Sequence, residues 1–293
     1  MDGVIIVDKP EGITSHDVVN RVRRLVNTRS VGHLGTLDPM ATGVLPLVIG
    51  RATRLAQFFA TGEKKYDASI RFGWATDTYD RQGTRVQDPV EPRLTREQLN
   101  DALARYRGTI LQTPPPFSAK KISGTPAYRL ARKHVAVDLR PVEVHIYALD
   151  VIEFDGSVAQ VQVHCSAGTY LRSIAHEVGQ QLGCGAFLDA LRRTASGEFG
   201  ERDARTLDDL QVLAAAGRLG EALIPASQVL PQFPNAAVDT LTAGQIRQGR
   251  DFRTSPFRGG GGAKYVKAIG PEGELIAIGE ARLPHLYHPI LVL

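Results

Sequence analysis

Apolar residues recur along this chain at two spacings, and the changes between them mark its elements. Val4 to Val7 form an unbroken apolar run before a Pro10-Glu11-Gly12 turn, which predicts a strand. Val18, Val22, Leu25 and Val26 then return at helical spacing, with Arg21, Arg23 and Arg24 between them. That is the pattern of an amphipathic helix with a basic face. Thr14 and Asp17 have capping-box spacing at its start, with Ser15 as an alternative cap. "RATRLAQFFATG" predicts a second helix ended by Gly62. Over 66–74 the period becomes two. Tyr66, Ala68, Ile70, Phe72 and Trp74 fall on one face of a strand, and Asp67, Ser69 and Arg71 on the other. Thr95 and Gln98 open a helix predicted to run through Tyr106 and stop at Gly108. Residues 159–165 alternate again, and after Gly168 the stripe Leu171, Ile174, Ala175, Val178 and Leu182 predicts a helix.

Strands and helices mixed at irregular intervals give an α+β class with a mixed sheet, not a regular βαβ repeat. No internal repeat is present. Pro225, Pro231 and Pro234 mark a linker, and beyond it "KYVKAIG", "ELIAIGEA" and "PILVL" predict a small β-rich second domain. The run Gly259 to Gly262 is followed by "AKY" and lacks the GK[ST] continuation of a phosphate loop, so it is read as a turn.

Composition narrows this picture modestly. The 293 residues suffice for one large domain or two. With 43% hydrophobic and 23% charged residues, the chain is expected to be soluble and globular. "MDGVIIVDKP" does not read as a signal peptide, and no apolar stretch approaches bilayer length. Cys165 and Cys184 fit neither a metal spacing nor a disulfide framework, which places the protein in a reducing, cytoplasmic setting. A net charge of +4 permits a polyanionic partner without requiring one.

Two stretches carry candidate chemistry. "TPPPFSAKKISGTPAYRLARKH" (113–134) has a stiff proline entry followed by aromatics, Lys120, Lys121, Arg129, Arg132 and Lys133. It suits contact with a nucleic-acid backbone and bases, or else is a solvated helical hairpin. "GHLGTLDPMATG" (32–43) holds a lone carboxylate, Asp38, oriented by Pro39 among three glycines. An ionised, oriented carboxylate is a candidate nucleophile or base. An Asp-Pro turn without chemistry is the plain alternative. Arg172 lies near the start of a predicted helix, where the macrodipole disfavours a cation. A salt bridge to Asp38 would compensate and would lower the carboxyl pKa.

The loop resembles the catalytic motif of the TruB family of bacterial tRNA pseudouridine synthases. "DKPEGITSHDVV", "KKYDA", "PPPFSAKKISGTPAYRLAR", "GTYLRSIAHEVG" and "LRRTASGEF" are similar to that family in order, over about residues 1–200. The resemblance implies a pseudouridine synthase fold, with a largely antiparallel mixed sheet and flanking helices over 1–230. It also implies that 113–134 is an RNA-gripping insertion and that 235–293 is a PUA-like RNA-binding domain. The implied reaction is isomerisation of the T-loop uridine (position 55) of tRNA to pseudouridine, without cofactor, metal or guide RNA, by a cytoplasmic monomer that grips the T arm.

By the same resemblance Asp38 is the nucleophile, attacking the uracil ring or the ribose or assisting glycal formation. Arg172 is its ion-pair partner. Tyr66 stacks on the target base and is a possible proton acceptor, or alternatively is a core residue. His33 helps the flipped nucleotide, Tyr170 is a neighbouring pocket aromatic, and Lys9 supports the pocket. Lys120, Lys121, Arg129 and Arg132 contact RNA. The rival readings are a tRNA-binding or tRNA-folding protein without required catalysis, a guide-dependent synthase and, more remotely, a hydrolase using Asp38.

Overall fold

The computed structural model describes residues 1–118, 121–122, 125–126, 139–255 and 262–293. Its main body is a 10-stranded sheet among the described residues. The strands are β1 (Gly3–Lys9), β2 (Val31–His33), β3 (Thr42–Ile49), β4 (Lys64–Phe72), β5 (Gly108–Gln112), β8 (Val142–Phe154), β9 (Val158–Cys165), β10 (Ala186–Ser196), β11 (Phe199–Gly200) and β12 (Ile224–Pro225). Between β5 and β8, the short β6 (Lys121–Ile122) and β7 (Thr125–Pro126) pair with each other. The main sheet runs β12-β1-β3-β10-β4-β9-β8-β5, with β2 beside β3 and β11 beside β10.

Every named strand pair of this sheet is antiparallel except one. Strands β3 and β10 run parallel, pairing Thr42 with Arg192 and Gly43 with Arg193. This seam joins two antiparallel halves. Gly43 adopts φ +99° there, and a Cβ at that position would lie 2.3 Å from the Arg193 carbonyl oxygen. Only glycine accommodates both the dihedral and the contact.

Each half has its own helices. Helices α1 (Ser15–Leu25) and α4 (Leu207–Ala215) place Val18, Val22 and Leu210 against Ile5, Val7, Leu45 and Leu47. Helices α2 (Arg96–Ala104) and α3 (Leu171–Gln181) place Leu99, Leu103, Ile174 and Val178 against Ala68, Ile70, Val161 and Leu149. Tyr66 and Leu191 pack against both clusters, so they stand where the two halves meet.

The second sheet is five-stranded: β13 (Asn235–Ala237), β15 (Tyr265–Ile269), β16 (Leu275–Leu283), β17 (Leu286–Val292) and β14 (Phe252–Arg253), with helix α5 (Thr240–Arg247) against it. The α+β class and the β-rich C-terminal part are therefore present. Leu275, Ile278 and Leu291 share a core with Val4, Val44, Val48 and Leu55 of the first part. Lys267 is buried at this junction, and its ammonium donates to the carbonyls of Ser227 and Val229 at 3.0 and 2.8 Å.

Several local expectations change. Thr14, not Ser15, caps α1, and the reciprocal capping box with Asp17 is formed. Gly50–Phe59 is a 3-10 helix, with Ala52 and Leu55 buried three residues apart. Helix α2 ends at Ala104, and Gly108, at φ +86°, opens β5. Tyr66 is the third residue of its strand rather than the first, while Trp74 lies beyond the strand. There it packs on Phe187 under the Arg85 guanidinium. Among the described residues no helix is long and apolar enough to cross a membrane.

Candidate active site

Asp38 belongs to the loop between β2 and β3, and that loop is fastened from three sides. The Ser15 hydroxyl, freed from capping, accepts from Leu37 N–H at 2.9 Å and donates to the Leu37 carbonyl at 3.1 Å. The fully buried Lys9 donates to the carbonyls of Pro10 and Pro39 at 2.9 and 3.2 Å. Arg193, 1% exposed, donates to the carbonyls of Val44 and Gly35 at 2.7 and 3.1 Å. A simple solvent-exposed turn needs no such framework.

The loop presents its carboxylate to Arg172, in the first turn of α3. Arg172 Nε lies 2.8 Å from Asp38 Oδ2, and Nη2 donates to Oδ1 at 3.0 Å. The expected ion pair is thus formed, and it is bidentate, the strongest arrangement for these groups. The guanidinium is almost fully enclosed, donating also to the carbonyls of Phe117 (3.0 Å) and Thr78 (3.2 Å). Asp80 stands 3.6 Å behind it and accepts from the Thr78 hydroxyl at 2.7 Å and from Gln82 N–H at 3.0 Å.

The pKa expectation needs correction. Burial raises the Asp38 carboxyl above the usual carboxylate value, while Arg172 opposes the rise and Asp80 adds to it. Desolvation is the largest influence and outweighs the attraction of Arg172, with the negative charge of Asp80 a smaller addition in the same direction.

Asp38 opens onto a cavity of about 460 Å³, within the size range of small-ligand sites. The cavity is lined by His33, Gly35, Phe59, Lys64, Tyr66, Gly168, Tyr170, Leu171, Arg172, Leu191 and Arg193, among others. Among its described lining residues Asp38 is the sole carboxylate. Tyr66 hydrogen-bonds with the Arg193 guanidinium, and burial pushes its phenol up, so at neutral pH it carries its proton. His33 lines the wall with its Nδ1 buried and without a hydrogen-bond partner. Burial, aided by the nearby Arg193 charge, pushes its pKa down and favours the neutral ring. Tyr170 precedes α3 with its main chain clamped by the Gln112 amide, which accepts from its N–H at 2.7 Å and donates to its carbonyl at 3.0 Å.

The structure thus brings Asp38, Tyr66, Arg172, His33 and Tyr170 around one cavity, with Lys9 behind its floor. Lys120, Arg129 and Arg132 lie outside the described residues, as do Lys133 and Gly259 to Gly261 of the glycine run, and of Lys121 only the backbone is described, in β6. The described root of that insertion is tied to the site: Thr113 and Phe117 carbonyls accept from Ser173 and Arg172.

Four participants were not singled out from sequence: Arg193, Lys64, Asp80 and Gln112. Arg193 and Lys64 sit inside the stretches "LRRTASGEF" and "KKYDA", whereas nothing local distinguishes Asp80 or Gln112. Asp80 is placed by its neighbour Tyr79, held at φ +65° with its ring stacked 3.7 Å from His176 of α3.

The family model for the N-terminal domain of TruB family pseudouridylate synthase matches residues 23–171, and the tRNA pseudouridylate synthase B C-terminal domain matches 172–230. The tRNA pseudouridine synthase B of Solibacter usitatus is 59% identical over 293 residues, all of both chains. The chain belongs to the TruB family. The namesake enzyme of Aquifex aeolicus is 39% identical over 284 residues, 96% of each chain. Among solved structures, a chain of an H/ACA RNP bound to a substrate RNA containing 2'-deoxyuridine aligns with TM-score 0.70 and 25% identity, covering 99% of this chain and 84% of that one. This TruB protein is therefore a tRNA pseudouridine synthase, an isomerase, with the pseudouridine synthase fold. The boundary between the two matched models falls between Leu171 and Arg172, yet the sheet runs through both, since β10 pairs with β3 and β4 of the N-terminal match.

Proposed function

We propose that this enzyme isomerises the T-loop uridine at position 55 of tRNA, with Asp38 as nucleophile. The carrying observation is the Asp38–Arg172 pair: one carboxylate faces a nucleoside-sized cavity, its two oxygens held by a guanidinium that is itself enclosed. A stacked uridine reaches such a group only by leaving its helix or loop stack, at a cost of a few kcal/mol. Tyr66 and Tyr170 then offer ring faces and His33 fills the wall beside the displaced nucleotide.

In the overall reaction the bond from N1 to C1' breaks and a bond from C5 to C1' forms. C5 loses its proton and N1 gains one, so the product is an isomer. Asp38 attacks the ring or the ribose, or assists a glycal, and a guanidinium fixes its oxygens in each case. A protonated Tyr66 acts more readily as a hydrogen-bond donor and stacking surface than as a base. The hydrolase reading loses ground because the nearest second carboxylate, Asp80, is buried behind Arg172 and does not line the cavity.

The working unit in this reading is a cytoplasmic monomer that needs no guide RNA. Residues 113–134 grip the T arm, and the second sheet acts as a PUA-like RNA-binding domain over 235–293. The test is tritium release from a tRNA transcript labelled at uridine C5, by wild type and Asp38→Asn. Release by wild type alone, mapped to the T loop, supports the reading. Tight tRNA binding without release by wild type would favour a folding or binding role.

A further inference from the structure

Lys64 is a cation on the cavity wall that the reaction as described leaves unused. It lies at the start of β4, is 8% exposed, and lines the Asp38 cavity. Among the described residues no hydrogen bond or ion pair engages its ammonium. Its β-ladder neighbours are Cys165 and Ser196. The Cys165 thiol is pushed up to about 11 by burial and so supplies no negative charge at neutral pH. Nearby carboxylates are committed elsewhere: Glu63 to His164 at 2.6 Å, and Glu198 to the Leu230 N–H at 3.0 Å.

The charges on this wall do not balance. Lys64, Arg172 and Arg193 face the cavity, and Asp38, the carboxylate among the described lining residues, is already paired with Arg172. Arg193 spends its donors on two carbonyls and Tyr66. A desolvated ammonium without an anion is unfavourable, so it is maintained where a ligand brings the anion. A neutral uracil would not do so, but every nucleotide of RNA carries a phosphodiester.

A second opening adjoins the cavity beside Lys64. A second cavity, about 280 Å³, shares Leu34, Phe59 and Lys64 with the first and is otherwise walled in part by Gly62, Ser196 and Gly197, with the carboxylates Glu63 and Glu198, engaged as above, also on its wall. The Lys64 ammonium lies 3.6 Å from where a Cβ on Gly62 would stand, so it reaches the small-residue wall between the cavities.

We propose that Lys64 is a phosphate-binding residue, gripping a phosphodiester that flanks the displaced uridine as the RNA strand passes from the Asp38 cavity into its neighbour. The inference rests on the uridine reading above. Burial holds the free ammonium down at about 8, and the bound phosphate restores it toward the ordinary lysine value.

The test is a cycle of Lys64→Met and Lys64→Arg against a T-arm stem-loop RNA with single methylphosphonates at the phosphates on either side of the target uridine. It is read in equilibrium binding and in tritium release. Lys64→Met is expected to weaken binding of the unmodified RNA by roughly 10- to 100-fold, with Lys64→Arg keeping most of it. The slope of log affinity against log salt should become shallower by roughly 0.7–0.9. One methylphosphonate should weaken wild type to a similar degree and cost Lys64→Met nothing more. Lys64→Met should melt no lower than wild type, because an unpaired desolvated charge has been removed.

Equal methylphosphonate costs in wild type and Lys64→Met, or unchanged affinity in Lys64→Met, would overturn the assignment. So would a lowered melting temperature sufficient to explain the loss. Wild type that binds the stem-loop but releases no tritium would overturn the uridine reading, while the binding cycle would still decide Lys64.

Discussion

Arg172 meets both oxygens of Asp38, at 2.8 and 3.0 Å, across a sequence separation of 134 residues. Neither side chain has a comparable partner of its own nearby in sequence. The helix start that carries Arg172 and the loop that carries Asp38 come from opposite halves of the sheet, and the pair spans the line where those halves meet.

Removing either partner should have different consequences. Asp38→Asn should abolish tritium release while leaving tRNA affinity within a few-fold. Arg172→Met leaves the partly exposed Asp38 and the buried Asp80 without their counter-charge, and loss of one partner from a buried pair typically costs about 3–5 kcal/mol of stability. Urea denaturation of the two variants checks the contrast, with Asp38→Asn expected to be the less damaged.

Activity should have an acid limb set by Asp38. Its carboxyl lies above the usual 3.8, and the protonated form cannot act as a nucleophile, so kcat/KM should rise with pH through that raised value. Asp80→Asn removes a nearby negative charge and should move the limb to lower pH, even where the maximum rate falls. The pH profile of single-turnover tritium release checks the direction. An upward move would show that loosening of Arg172 outweighs the lost repulsion.

Lys9 adds an alkaline signature to stability. Burial holds its folded pKa at about 8, against 10.5 for the ordinary lysine. Above pH 8 the unfolded chain therefore binds more protons than the folded one, so Lys9 makes folding more favourable as pH rises. Lys64, also at about 8, acts in the same sense. The two together should give a slope approaching two protons between about pH 8 and pH 10, measured from urea midpoints. Lys64→Met should reduce the slope by about one proton.

The seam should be intolerant of a single methyl group. Gly43→Ala would put a Cβ 2.3 Å from the Arg193 carbonyl at φ +99°, straining the pairing of β3 with β10. A loss of more than about 2 kcal/mol is expected from the dihedral and the clash together. Chemical denaturation measures it. Activity should fall as well, since Arg193 holds both the Asp38 loop and Tyr66.

Local pattern was enough to read some of these features. The boxes Thr14–Asp17 and Thr95–Gln98 formed as their spacing predicts, because a cap involves residues three apart. The apolar stripe of 171–182 became α3 for the same reason. Strand β10 was hidden, since shifts in register after Leu188 and Arg193 break its alternation. The 3-10 winding of 50–59 was hidden too, because its buried residues also suit an α-helix at this length.

By itself, the sequence determined several of the helices and strands, where the loop "GHLGTLDPMATG" lies and, through its ordered motifs, the family to which it belongs. Those properties depend on contacts within a few residues or on patterns read directly in the chain. The tertiary structure decided that Ser15, Lys9 and Arg193 hold the loop. It also decided that burial, with Asp80 adding to it, leaves Asp38 raised despite Arg172, and that Lys64 faces the cavity without a counter-charge. Burial and Coulomb interactions depend on distance in space, and only the folding of two half-sheets onto one seam sets those distances.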